Sequence, residues 1–312
     1  MAKIKSVPAK QRSVVTVGVF DGVHSGHISL IRSARKVADQ LNAALIVASF
    51  DPHPTSVLRP ESFLGLLTTS QRRAELLLDI GVDRVEFVKF DDQLRHFSPD
   101  EFVESILLNQ LGADAVVVGS NFRFGYQAAG DVETLKTIGL KYGVEIHIVE
   151  LLGDIKPWSS TRIRQAILAG EVAQARHMLG RPHRLSGVVV HGDHRGRELG
   201  YPTANLDVED HLIIPADGVY SALALFNGRS LAAAVSIGTN PTFEGVLGRR
   251  VEAYVLDHVD LDLYGQQFDL DFVEFVRPTL KFDGIDALLA AMAIDVVTVR
   301  SHISDFVEAT AH

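Results

Sequence analysis

The string "GVFDGVHSGHISLIRSARKVADQL", residues 18–41, sets His24 and His27 three residues apart, with Gly26 between them, where an apolar run gives way to helical spacing. Three chemistries fit these residue types. The histidines could cap a helix or fill a loop. They could hold a metal ion together with Asp21 or His53. They could also serve phosphate chemistry: a glycine-rich turn brings backbone N–H groups close to an anion, and the helix N-terminus adds a favourable partial charge. Two imidazoles would then supply donors to developing oxyanion charge. On that third reading Gly18, Phe20, Asp21, Gly22 and Gly26 form a nucleotide-binding turn, with Gly26 leaving room for the phosphate.

A second string, "HGDHRGRELGYPTANL" at residues 191–206, carries Gly192, Gly196 and Gly200. Taken alone, these glycines suit the turns of a flexible loop. The ending adds more. Thr203 and Asn205 are two residues apart, so in extended backbone both side chains leave the same face, where a hydroxyl and an amide oxygen could ligate Mg²⁺ bridging phosphates. In "SSTRIR", residues 159–164, Ser159, Ser160 and Thr161 are capping residues at a helix start.

Composition narrows the field. The 312-residue chain has no cysteine, which excludes disulfides, thiolate metal sites and thiol catalysis. A net charge of −9 argues against nucleic acid as a partner, and no run of ~18 consecutive apolar residues suggests a membrane span. The start, "MAKIKSVPAKQRS", has four basic residues but no apolar signal core, so a solvated tail and a cytoplasmic location are expected.

These residues need elements to position them. From 14 to 152 five strand-like runs, "VVTVGVF", "AALIVASF", "RVEFVKF", "AVVVG" and "VEIHIVELL", alternate with four helices, which predicts βαβ units and a parallel, doubly wound α/β sheet. The histidines then sit at the carboxyl ends of the strands. Ile28, Ile31, Ala34, Ala38 and Leu41 form one helix face; a second helix at 99–111 has Ser98 as N-cap, Pro99 at N1, Glu101, and Gly112 at its end. Gly180 and Pro182 mark a domain boundary, giving domains 1–182 and 183–312. Beyond it short strands, with Asn227-Gly228 as a type I′ turn, predict an antiparallel barrel or sandwich, and helical spacing returns from about Ile285 to Ala309.

Several of these strings resemble known families. "GVFDGVHSGH" is similar to the HxGH signature of the nucleotidyltransferase superfamily, and "SSTRIR" to its partner motif; there is no Walker A string and no GxGxxG after a strand. "GYPTAN" resembles the PTAN motif of riboflavin kinases, a likeness that continues through "PADGVY", "IGTNPTF", "VEAYVLD" and "LYGQQF". With "FDPHP" and "GSNFRFGYQAAGD", the chain from 14 to 300 resembles the bacterial bifunctional riboflavin kinase/FAD synthetase family. The resemblance implies a riboflavin kinase β-barrel as the second domain and ATP-dependent conversion of riboflavin to FMN there, with Glu252 as base and Mg²⁺ at Thr203 and Asn205. It implies adenylylation of FMN to FAD in the first domain, with His24 and His27 as donors and Arg162 or Arg164 facing the departing pyrophosphate. Gly192, Gly196 and Gly200 would join the nucleotide site, and Asn121, Arg123, Phe124 and Arg277 would face flavin. ATP, ADP, riboflavin, FMN, FAD and pyrophosphate are the implied partners, on a monomer or weak homo-oligomer. Thr279 and Trp158 depart from the family pattern. The alternatives are another nucleotidyltransferase or ligase whose barrel only binds, and a flavin-binding regulator with degenerate sites.

Overall fold

The computed structural model describes residues 12–150, 152–153, 157–191, 200–209, 211–239, 249–258 and 261–311. The N-terminal tail at 1–11, Gly192 and Gly196 lie outside the described residues. The chain forms two compact units: Met1–Phe63 with Ser70–Ser159, and Leu64–Thr69 with Ser160–His312.

The first unit is built on strands β1 (Ser13–Val17), β2 (Ala44–Asp51), β3 (Arg84–Lys89), β4 (Ala113–Gly119) and β5 (Glu145–Val149), all parallel in the order β3-β2-β1-β4-β5. Alternate residues feed two cores. Val14, Leu45, Val47 and Val117 pack with Ile31, Ala34 and Ala38 of helix α1 (Ser25–Leu41). Val15, Ile46, Ala48 and Val116 pack on the other side with Phe102 and Leu107. Burial on both faces is why these strands read as unbroken apolar runs. Between β2 and β3 lie α2 (Pro54–Leu58) and α3 (Ser70–Asp79). Between β3 and β4, α4 (Pro99–Phe102) starts with the expected capping box on Ser98 and Glu101. It then widens into a π-helix over Val103–Gln110, with the Leu111 N–H donating to the Ile106 carbonyl. The cap and proline specify where this helix starts and not how it winds. Helix α5 (Val132–Tyr142) precedes β5.

The second unit holds α6 (Ser160–Leu168), α7 (Val172–Leu179) and strands β6 (His183–Val190), β7 (Thr203–Val208), β8 (Gly218–Phe226), β9 (Arg229–Thr239), β10 (Arg249–Val255) and β11 (Gln267–Arg277). The six strands close an antiparallel barrel in the order β10-β7-β6-β11-β8-β9. Its interior is filled by Ala222, Ala224, Val235, Ile237, Phe268, Leu270 and Phe272, with Val172 of α7 joining the same core. Asn227 and Gly228 both have positive φ, 48° and 71°, as a type I′ turn requires.

The segment Leu64–Thr69 belongs to this unit as well. Leu66 donates its N–H to the His211 carbonyl (2.6 Å) and accepts from the Ile213 N–H (2.9 Å). Gly65, at φ 107°, lies so close that a Cβ would meet the His211 oxygen at 2.9 Å. Helix α8 (Ile285–Thr310) seats Val299 and Ile303 against Leu256 and Val273. Among the described residues α8 is long and apolar enough to cross a membrane by length and composition, although Asp286, Asp295 and Arg300 break any continuous apolar run.

Candidate active sites in the two units

In the first unit β1 and β4 are neighbours from which the chain departs in opposite directions across the sheet, so the segments following them flank a topological switch point. The segment after β1 is the histidine loop. Its backbone is forced: Phe20 has φ 53°, Gly22 φ 82° and Val23, a β-branched residue, φ 40°. Left-handed geometry at such residues costs of order 1–3 kcal/mol each and persists only where the surroundings over-determine it. Phe20, Asp21 and Val23 are all buried, the Val23 N–H donates to the Phe20 carbonyl, and the Gly18 N–H donates to Ala48. A Cβ on Gly18 would press on the Phe20 ring at 3.1 Å.

His24 is the N-cap of α1, its Nδ1 accepting from the His27 N–H at 3.3 Å. That bond places the proton of a neutral His24 on Nε2. The capping reading is met through Nδ1, which leaves the phosphate reading to rest on Nε2. The His27 ring stacks on it with centroids 3.6 Å apart and 20° between planes, and Phe20 abuts His27 edge-on at 5.1 Å. A Cβ at position 26 would touch the His24 ring at 3.1 Å, so Gly26 makes space for the imidazole. His53 caps α2, its Nδ1 accepting from the Thr55 N–H, and among the described residues no three His, Asp or Glu side chains converge as a metal site.

After β4, Asn121 and Arg123 are exposed, with Arg123 3.6 Å from the Asp131 carboxylate. Phe124 is buried, stacked on Phe122 at 5.4 Å and bridged to Gly130. Sequence reasoning missed Arg73 of α3, the largest side chain buried below 2% exposure. Arg73 falls in phase with Leu77, four residues on, which is also buried. That phase was the available signal.

"SSTRIR" divides between the units, with Ser159 in the first and Ser160 starting α6 in the second. Thr161 is exposed and Arg162 half-buried, while Arg164 is buried and donates from Nε to the Gly65 carbonyl at 2.7 Å. Arg164 thereby tethers the Leu64–Thr69 segment.

In the second unit Ala204, Leu206, Val251 and Ala253 point into the barrel, which turns Thr203, Asn205, Glu252 and Tyr254 to its outer face. The register pairs Asn205 with Glu252 and Thr203 with Tyr254. Beside them a cavity of about 370 Å³ runs under α8, lined by Thr203, Glu252, Tyr254, Arg277, Met292 and Asp295. Thr279 lines it too. Burial, then the Asp257 charge, raises the Tyr254 phenol above its ordinary value, so it stays a donor. Arg277 lies over Phe282, and its guanidinium makes a two-pronged pair with Asp295 of α8 at 2.8 and 2.7 Å. Asp295 is nearly inaccessible and was not anticipated; an acidic residue set between Ile294 and Val296 in the apolar middle of the helix was its signal. Gly200, φ 82°, precedes β7.

A family model described as FAD synthetase matches residues 6–162, and one described as riboflavin kinase matches 179–303. A bifunctional riboflavin kinase/FMN adenylyltransferase of Listeria monocytogenes is 36% identical over 92% of this chain and 91% of its own length. The chain belongs to the bifunctional riboflavin kinase/FMN adenylyltransferase family. A member from Escherichia coli is 34% identical over the same shares. The chain is also similar, with 34% identity and a TM-score of 0.86, to a crystal structure described as a macrolide-efflux protein from Streptococcus pneumoniae, across 95% of this chain and 96% of that one. Family membership accounts for the order of the two architectures, a parallel sheet followed by a closed barrel with a C-terminal helix.

Proposed function

We propose that the protein makes FAD from riboflavin in two ATP-dependent transfers, one in each functional domain, 1–182 and 183–312. In the barrel Glu252 accepts the proton of the riboflavin 5′-hydroxyl as that oxygen attacks the γ-phosphorus of ATP, and ADP departs from the new FMN. The observation that carries this reading is the shared outer face of Thr203, Asn205 and Glu252 beside a cavity with apolar walls. Arg277, held by Asp295, forms part of the wall for the flavin ring. Thr203 and Asn205 offer only hard oxygen donors, which fits Mg²⁺, an ion that keeps few protein ligands when it arrives with phosphates. When bound, Mg²⁺ neutralises phosphate charge.

In the first domain a phosphate oxygen of FMN attacks the α-phosphorus of a second ATP and pyrophosphate leaves. No side-chain nucleophile is needed. His24 and His27 donate to the oxyanion, Gly26 and the α1 N-terminus receive the phosphate, and Arg162 faces the pyrophosphate, with Arg164 holding the Leu64–Thr69 segment. Asn121, Arg123 and the Phe122–Phe124 stack form the flavin side, and Gly192, Gly196 and Gly200 join the kinase nucleotide site. Two ATP-consuming steps fit a cytoplasmic protein. The test is incubation with riboflavin, ATP and Mg²⁺, resolved by chromatography. FMN followed by FAD is expected, whereas flavin bound without turnover would point to a flavin-binding regulator.

A further inference from the structure

We infer that Arg73 is a positioning residue for the adenylyl transfer, the buried post against which the strained histidine loop is set; this rests on the reading of the first unit given above. Arg73 comes from α3, outside every motif in that unit, and is 1% exposed. Burying a cation is costly unless its protons are bonded, so such a side chain demands a reason. Its Nη1 lies within hydrogen-bonding distance of three oxygens, those of the Val19 carbonyl (3.0 Å), the Ser49 hydroxyl (2.9 Å) and the Phe50 carbonyl (3.2 Å). The guanidinium carbon sits 5.7 Å from the centroid of the Phe87 ring. Ser49 is itself fully buried and donates to the same Val19 carbonyl at 2.8 Å.

The Val19 carbonyl is therefore gripped twice, immediately before Phe20 turns into the left-handed region. From there the contacts run without a gap. The Phe20 ring meets His27, and His27 stacks on His24. A shift of the Val19 carbonyl moves Phe20 and so changes where both imidazoles point. A strained loop keeps its geometry only while something outside it enforces that geometry. Arg73 and Ser49 provide that enforcement from β2 and α3, elements which carry none of the proposed reacting groups. Displacements of about 1 Å at reacting groups can cost 10²-fold in rate.

The test compares Arg73→Gln, Arg73→Lys and Ser49→Ala in the full chain, assayed for FAD from FMN and ATP, with FMN formation from riboflavin as the control in the same molecule. Arg73→Gln should lower kcat for FAD by about 10²-fold while KM for ATP changes less than about threefold, because the donors are misplaced rather than removed. Arg73→Lys keeps one ammonium at the same three oxygens and should recover to within about tenfold, and Ser49→Ala should show the same kcat signature, smaller. FMN formation stays at the unsubstituted level in all three. A packing role alone would lower the melting temperature and leave kcat per folded molecule unchanged, which would overturn the proposal. So would a loss confined to KM, or a glutamine variant as active as the lysine one. If Arg73→Gln fails to fold, unsubstituted kcat in both Arg73→Lys and Ser49→Ala overturns it. If the unsubstituted chain makes no FAD, the reading of the unit falls instead. The positioning claim is then decided by the ring signals of His24 and His27 in NMR spectra, which should shift in Arg73→Gln and whose constancy would refute it.

Discussion

The first unit holds its candidate groups on strained backbone, at Phe20 and Val23, whereas the second holds them on the regular ladder of β7 and β10. The contrast follows from what each transfer requires. Adenylyl transfer to a substrate that brings its own phosphate oxygen asks the protein for donors at fixed points, and a loop leaving a parallel strand supplies N–H groups and imidazoles where the crevice opens. Phosphorylating a hydroxyl asks for a base next to metal-directed oxygens. Two adjacent antiparallel strands already set Glu252 opposite Asn205 at a spacing of about 5 Å with no distortion. Positioning by distortion needs external bracing; positioning by register does not.

The contrast can be broken or sharpened by experiment. Glu252→Gln removes the proposed base, and FMN formation should fall by roughly 10²- to 10⁴-fold while FAD is still made from supplied FMN. Loss of both activities in folded protein would show that the chemistry is shared between units. His27→Ala should cost about 10²- to 10³-fold in FAD synthesis and leave FMN formation intact, read on the same chromatogram. Fragments test where the second unit begins. Ser160–His312 keeps α7, whereas 183–312 exposes the barrel core where Val172 packs. The shorter fragment should be less stable by at least about 1.5–3 kcal/mol for that side chain, measured by urea unfolding. Equal midpoints would remove α7 from the barrel's stability.

The smallest effect concerns pH. Burial pushes the Tyr220 phenol up to about 12, with Asp217 adding and Arg249 opposing, and its hydroxyl donates to the Ala216 carbonyl. The folded state therefore keeps a proton that the unfolded chain releases near pH 10, so the Tyr220 contribution to stability is constant below 10 and falls by about 1.4 kcal/mol per unit from there to about 12. Tyr220→Phe should flatten that alkaline slope in urea midpoints of the Ser160–His312 fragment. An unchanged slope would assign it to other groups.

What could be read in the sequence follows the same division. Alternation in "PTANL" and "VEAYV" displays the outer-face residues of the kinase ladder, because strand periodicity is local, and both barrel and sheet followed from patterns of that kind. That His24 caps α1 through Nδ1, compatibly with the proposed donor role, was not visible, since both readings use the same residue. The π winding after Phe102 had no local mark. Arg72 and Arg73 are adjacent and identical in type, yet one pairs with Glu75 at the surface while the other is buried under the loop. The phase of Leu77 marks which of the two turns inward, but what Arg73 meets there is set by the tertiary fold. Asp295 and Arg277, separated in sequence by the turn into α8, likewise meet only when the helix docks on the barrel.

Synthesis proceeds from the N-terminus, and this gives the tether at Leu66 a temporal meaning. Leu66 emerges with the first unit, but its partners at His211 and Ile213 are translated much later, roughly 7–30 s at bacterial rates. The nascent first unit therefore carries Leu66 without its backbone partners until the barrel follows. A gene split after the parallel sheet would leave that segment on the wrong polypeptide.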